Sequence, residues 1–341
     1  MLKKILVLTL FVACLNARVV VDTNGEKITI PDKVEWASPM VGIFVQIAVS
    51  VGGGDRIISG AYNGLSPMML KVFPKIKMTG FRGGTPGASV ETIIASKTQV
   101  VFGPAGVLFD DNVKEQLENA GIAVVRMGRL LTNVDDLKER ISRVAEIFGG
   151  ECIEQAKQLH AHIDESIAFV QERLPKNAEK KRVLVIYDRA GNWSTTSTNS
   201  VAGEYIKLAG GVNLAAQKSV SFGSSPSVNE EQIMVYNPDI IITNSQEAKQ
   251  IILKKESFKY IKAVKNKQIF VQPRGVITFW AGSEGGLQVL WLAKTLYSEL
   301  FADLDMRTKV REFYAKFYKY NLSEDELTEI LYPTKKVKPV F

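Results

Sequence analysis

The 341-residue sequence predicts an α/β protein of two lobes with mainly parallel sheets, joined by a single long helix. Three observations predict it. Short apolar runs alternate with helix-like segments in both halves of the chain. A helix-to-strand unit in the first half recurs in the second, and an unbroken three-four apolar spacing lies between the halves. With 46% apolar and 23% charged residues the chain is ordinary globular material, with enough Val, Ile, Leu and Phe for two cores.

The chain opens Met-Leu-Lys-Lys, continues with an apolar run from Ile5 to Ala13, and then reads Cys14-Leu15-Asn16-Ala17. A basic start, an apolar stretch well short of the ~20 residues a span needs, and a small residue before a polar start form a secretory-signal pattern. Residues 1–17 are therefore read as a leader, with cleavage after Ala17, and the protein as exported. Processing at Cys14 as a tethered lipoprotein is the alternative, although Phe11-Val12-Ala13 lacks the leucine usual three places before such a cysteine. Cleavage leaves Cys152 alone, which rules out an intramolecular disulfide and leaves stability to size and packing. Cys152 sits in a helical pattern and is expected to be half-buried and inert.

The first lobe is expected over 18–149. Val19-Val20-Val21 and Lys27-Ile28-Thr29-Ile30-Pro31 flank Asn24-Gly25, a strong hairpin signal. The runs Arg56–Gly60, Val100–Gly103 and Ile122–Val125 follow as strands between helical patterns. The linking helix is expected over 150–175, with Ile153, Ala156, His160, Ile163, Ile167, Val170 and Leu174 on one stripe, about 37 Å long at 1.5 Å per residue. The second lobe, over 176–333, repeats the grammar at Val183–Tyr187, Asp239–Thr243 and Gln268–Val271. The Rossmann-like alternation is reinforced by a weak repeat: Glu91-Thr92-Ile93-Ile94 runs into the strand at Val100, and Glu231-Gln232-Ile233-Met234 runs into that at Ile240 with the same spacing. Residues 334–341, with Lys335-Lys336-Val337-Lys338, are a basic tail.

The formal charge of +7 falls to +5 once Lys3 and Lys4 leave with the leader. Export and the absence of an aromatic-basic motif argue against nucleic acid, and the basic excess favours an anionic small ligand. The two histidines, His160 and His162, lie two apart and about 200° around a helix, so they cannot chelate one ion as an i, i+4 pair can. There is no Gly-x-Ser-x-Gly elbow, no Walker A loop and no histidine in a loop to activate a serine. Gly52-Gly53-Gly54 and Gly83-Gly84 lack dinucleotide spacing and read as turns. Carboxylate acid-base chemistry stays open, so an exported enzyme on a two-lobed scaffold is the alternative to a binding protein.

Positive signals gather at the carboxyl ends of strands, where α/β sheets bind ligands. Tyr187, Arg189 and Trp193 follow one strand, Arg274 and Trp280 another, while in the first lobe Phe81-Arg82 sits in a Gly-rich loop and Arg126 ends a strand. Guanidinium forks pair with carboxylate or phenolate oxygens and rings cover flat faces, a combination suited to a planar anion. Arg82, Arg189 and Arg274 are expected to converge on it, with Tyr187, Trp193 and Trp280 as walls. Tyr187 is also the one side chain offered as a direct ligand to a hard ferric ion.

Several segments, in order, resemble the periplasmic substrate-binding proteins of ABC importers for iron-siderophores, haem, cobalamin and related metal chelates. They are Gly25–Pro31, Ser89-Val90-Glu91, Ala120–Val125, Ala209-Gly210-Gly211-Val212-Asn213, Glu231-Gln232, Asn237–Ile241 and Ala263–Asn266. The likeness covers nearly the whole mature chain. It departs at Thr98-Gln99, where the family usually has Pro-Asp. The resemblance implies two lobes on one long helix, ligand in the cleft, periplasmic location, no catalysis and no resident cofactor. The cargo would be chelated iron or nickel, or alternatively haem or cobalamin. It further implies a monomer that delivers to an inner-membrane permease and its ATPase, docking through one acidic residue per lobe, here Glu91 and Glu231.

Overall fold

The structure, a computed structural model, describes residues 17–334 apart from 62–64, 79, 82–88, 105–109, 129–131, 178, 190–191, 198, 216–225 and 281; of residues 61, 77, 78, 80, 81 and 189 it describes the backbone alone. The hairpin forms as expected, β1 (Ala17–Val21) antiparallel to β2 (Lys27–Pro31), with Gly25 at φ +81° in its turn. That left-handed conformation suits glycine, and Asp22 Oδ1 locks the turn by accepting from the Asn24 and Glu26 N–H groups at 2.8 and 2.9 Å.

The first lobe continues with β3 (Ala37–Pro39), α1 (Gly42–Ser50), β4 (Gly60–Ala61), α2 (Met68–Val72), β5 (Gly80–Phe81), α3 (Val90–Ala95), β6 (Val100–Pro104), α4 (Asp111–Asn119), β7 (Ala123–Met127) and α5 (Val134–Phe148). Its main sheet has the parallel order β3-β6-β7, and β4 pairs β5 in a separate parallel ladder. The strand expected at Arg56–Gly60 is a correction. Gly54–Arg56 is a 3₁₀ turn, Ile57 only bridges Ala37, and the ladder begins at Gly60. Arg56 is drawn out of extended structure because its Nη1 donates to the Phe148 carbonyl at 2.6 Å, closing the end of α5.

Helix α6 (Glu151–Arg173) leads into the second lobe. There follow β8 (Lys181–Arg189), β9 (Asn192–Ser194), α7 (Val201–Leu208), β10 (Gly211–Asn213), α8 (Glu230–Tyr236), β11 (Ile240–Thr243), α9 (Gln246–Lys254), α10 (Lys262–Lys265), β12 (Ile269–Val271), α11 (Gly285–Leu296), α12 (Met306–Phe313) and α13 (Glu324–Leu331). The parallel order β10-β8-β11-β12 carries β9 antiparallel on β8. Strand β8 alternates Val183 and Val185 toward the main core with Leu184 and Ile186 toward a second one, as expected of a strand buried on both faces. The fold is therefore two Rossmann-like lobes joined by one long helix.

Helix α6 packs on α5 of the first lobe and on α11 of the second. Its buried positions are Cys152, Ala156, Leu159, Ile163, Ser166 and Val170, so the stripe is rotated from the expected one and Ile153 is exposed. Cys152 is fully buried rather than half-buried, and burial pushes its thiol pKa up while Arg56 Nη2 lies 2.9 Å from Sγ. Gly286 of α11 lies close to α6: a Cβ there would stand 2.9 Å from His162 Nε2 and 3.0 Å from Ser166 Oγ.

A buried polar seam joins α1 and Ser66 of the first lobe to the segment between β12 and α11. Gln46 Nε2 donates to Tyr318 OH at 2.5 Å, the Ser283 N–H donates to Gln46 Oε1 at 3.1 Å, and Ser50 Oγ lies 2.6 Å from Ser283 Oγ. Ser66 Oγ donates to the Gly275 carbonyl at 2.5 Å and its N–H to that of Val276 at 2.8 Å. Glu284, fully buried, accepts from Tyr314 OH at 2.7 Å, and burial pushes its carboxyl up to about 7.

Folded Glu284, at about 7, holds its proton more tightly than the ordinary glutamate at 4.5, so its contribution to stability is full below about pH 4.5 and is lost as pH rises to about 7. His162, buried against Phe313 and Phe317 and lowered from 6.5 to about 4, acts oppositely, its contribution falling away as pH drops. The diagnostic quantity is thus the difference between variant and wild type. Glu284→Gln should gain on the order of 3 kcal/mol relative to wild type between pH 4.5 and pH 8 in denaturant titrations. A difference independent of pH would mean that Glu284 ionises like an exposed carboxylate.

Candidate functional site

The segments that leave strand carboxyl ends in one lobe touch those of the other. Ser66, after β4, bonds Gly275 and Val276, after β12. The amino end of α5, after β7, donates the Val134 N–H to Glu204 of α7, after β9. The lobes therefore meet at strand ends, where parallel sheets place their ligands. A hollow of about 960 Å³ lies elsewhere, at the amino end of α6. Its Arg18 and Arg56 are engaged with the Glu146, Ile147 and Phe148 carbonyls that end α5, so it is a poor anion site.

Tyr187 and Arg189 sit on the last residues of β8, as expected. Tyr187 is half-buried on the face of Val183 and Val185, against the main core. Arg189 pairs its backbone with Asn192 at the tip of the β8–β9 hairpin. Arg274 follows β12, its N–H donating to the Ile330 carbonyl at 2.9 Å and its backbone bridging Thr278. Its side chain is largely buried, and burial lowers its pKa from the usual guanidinium value. Arg82 lies outside the described residues. Arg126, on β7, is engaged by Asp111, with Nη2 to Oδ1 at 2.6 Å.

The two tryptophans correct the expectation of an aromatic wall. Trp193 lies opposite Asp188 and so shares the face of Leu184 and Ile186, where its ring tilts against Phe258 at 6.3 Å. It is thus on the opposite sheet face from Tyr187. Trp280 is only 6% exposed, its Nε1 donates to Gln272 Oε1, and its ring lies over Tyr205 at 6.5 Å with a 25° tilt. The Trp280 indole is committed to a core, and that of Trp193 is half-buried against the second core.

Other groups at the strand ends escaped the sequence reading. The run Ser194-Thr195-Thr196-Ser197 is buried, and among the described residues Ser194 Oγ and Thr195 Oγ1 have no hydrogen-bond partner. Asn213 holds this run in place, its Nδ2 lying 3.3 Å from Thr196 Oγ1 and 3.4 Å from the Ser197 carbonyl. The preceding Gly210 is at φ +83°, in close approach to Leu174 and Tyr297, which gives the Ala-Gly-Gly-x-Asn segment its physical content. Seven hydroxyl or amide residues in succession from Ser194, interrupted by no charge, were the available signal.

Glu91 and Glu231 are both exposed in the first turns of α3 and α8. Ser89 caps α3 by accepting from Thr92 N–H at 3.3 Å, and Asn229 caps α8 by accepting from Gln232 N–H at 2.8 Å. The Ser89 hydroxyl also lowers the Glu91 carboxyl from its usual range. Among the described residues, no group of three or more His, Cys, Asp or Glu is placed to hold a bare metal ion.

Residues 81–274, more than half of the chain, match the periplasmic binding protein family. The chain belongs to that family. The molybdate-binding protein MolA of Haemophilus influenzae is 25% identical, over 93% of this chain and 98% of its own. A periplasmic solute-binding protein of Veillonella parvula superposes with a TM-score of 0.76 at 23% identity, covering 93% of this chain and 97% of that one. CeuE of Helicobacter pylori, in complex with Ni-His, superposes with 0.72 at 22% identity, over 93% and 100% of the two chains. Those superpositions establish the two-lobed fold, and the family is one of transport binding proteins.

If the Trp280 indole belongs to the core of this binding protein, Trp280→Ala should cost about 3–5 kcal/mol in denaturant unfolding. A cost below about 1 kcal/mol would return the ring to the cleft.

Proposed function

We propose that the protein is the solute-binding component of an ABC importer, holding a small anionic metal complex between its lobes and delivering it to an inner-membrane permease and its ATPase. The observation that carries the reading is a binding-protein chain whose two lobes meet at strand ends bearing Tyr187, Arg189 and Arg274. Arg82, from the first lobe, completes three guanidiniums around a polyanion, each able to make forked bonds to carboxylate, phenolate or oxo groups. Tyr187 is the candidate direct ligand to a ferric ion. The leader read in residues 1–17 supports a periplasmic location, and the protein acts as a monomer without catalysis. Glu91 and Glu231 dock on basic residues of the permease, one per lobe.

The cargo is a chelate of iron or nickel, with haem and cobalamin as bulkier alternatives. A second reading, a bare molybdate-type oxyanion, draws on the near full-length match to a molybdate-binding protein and on the buried hydroxyls of Ser194 and Thr195, which suit oxo ligands.

Titration calorimetry with ferric-catecholate, nickel–histidine, haem, cobalamin and molybdate separates these cargoes. Each of Arg82→Ala, Arg189→Ala and Arg274→Ala should weaken the bound ligand roughly ten- to a hundredfold, since a charged hydrogen bond is worth about 1.5–3 kcal/mol. Wild-type affinity in all three would reject the arginine cleft.

A further inference from the structure

The repeated helix-to-strand unit is repeated in detail. In α3 and α8 an Ser or Asn side chain caps the helix, and an exposed glutamate stands two residues later, at 91 and 231. Two residues further, Ile93 and Ile233 are buried. Next, Ile94 and Met234 are 40% and 39% exposed. Each unit then turns through a left-handed residue, Lys97 at φ 60° and Asn237 at φ 38°, into β6 and β11. On a helix, residues three apart are surface neighbours, so each lobe shows the solvent a carboxylate beside a large aliphatic side chain.

One exposed aliphatic residue is ordinary. The same acid-aliphatic pair in the same register of two lobes, whose strand-end residues otherwise differ, calls for a partner that offers equal chemistry twice. Carboxylates select a cationic partner, and partly exposed Ile and Met side chains select an apolar socket beside each cation. We propose that Ile94 and Met234 are paired apolar contacts that seat the protein on a two-fold-symmetric membrane partner, the permease dimer. The proposal rests on the importer reading and adds to it the apolar half of the contact. The second-lobe patch is the larger, because Val235, four residues after Glu231, is 81% exposed where the first lobe has Ala95.

The test is biolayer interferometry of the purified protein against its cognate permease–ATPase complex in nanodiscs, at low and high salt. Ile94→Ser and Met234→Ser should each weaken binding roughly three- to tenfold, the double variant should lose more, and the losses should persist at high salt. Melting temperature and ligand affinity should stay at wild type, since both side chains lie outside the cores and the strand ends. Glu91→Lys with Glu231→Lys is the reference for the importer reading, and its loss should shrink as salt rises. Wild-type binding by the double serine variant, with loss in the glutamate variant, overturns the apolar contact and leaves the importer reading standing. Loss from only one of the two serine variants overturns the two-fold arrangement. Binding unaffected by either pair, or absent in wild type, removes the importer docking itself.

Discussion

The packing of α6 between α5 and α11 is the constraint on which the rest of the molecule depends. One helix gives each lobe a flank, and close approach fixes the spacing. At Gly285 a Cβ would stand 2.1 Å from Tyr205 OH and 3.0 Å from the Leu137 side chain, so only glycine lets α11 lie this near to α5 and α7. Gly275 is held in the same way, against Glu284 Oε1 and Tyr314 OH, each 2.3 Å from where a Cβ would be. Around these contacts Gln46, Ser50, Ser66, Ser283 and Glu284 form a seam whose polar atoms are removed from water. Pulling the lobes apart would break the bonds of Gln46 to Tyr318 and Ser283, of Ser50 to Ser283 and of Ser66 to Gly275 and Val276, and each buried group left unpaired would cost about 1–3 kcal/mol unless water replaced its partner.

The lobes are tied at their strand ends, where Ser66 meets Gly275 and Val276. The residues there come from segments that leave β4, β7, β8, β9 and β12, and their positions are set by bonds across the interface. Glu204 accepting from the amino end of α5 illustrates this: a carboxylate of one lobe meets the positive end of a helix in the other. Burial raises the pKa of Glu204 above the ordinary value, the Val134 N–H opposing that shift. A ligand held between the lobes, as proposed, would meet a scaffold already tied by such bonds.

Much of the fold was legible in the sequence because it is written in periodicity. The Asn24-Gly25 hairpin, the apolar runs of β6, β8 and β11, and the long helix each follow from spacing alone. The helix stripe was rotated because α6 is flanked by two elements, so its buried arc is wide and Leu159 and Ser166 qualify as well as Ile163. The candidate site was less legible. Tyr187, Arg189 and Arg274 fall at strand ends, whereas Trp280 is buried in one core and Trp193 packs half-buried on another, because an aromatic residue near a strand end gives no sign of which face it takes. For Trp193, continuing the alternation of β8 through the hairpin supplies the sign. Gln46 and Glu284 were missed since a polar residue in a helix resembles a surface residue; the signal was Gln46 within the apolar run Ile43–Val49, and Glu284 beside Gly285-Gly286.

The seam and α6 are expected to hold the two lobes in one arrangement whether or not ligand is bound. Electron-electron double resonance between spin labels at Gln116 on α4 and Gln250 on α9, both exposed, measures it directly; Cys152 is buried and stays unlabelled. The labels should give distance distributions that agree within about 2 Å before and after saturation with whichever metal complex calorimetry identifies. A larger closing movement on binding would contradict the account.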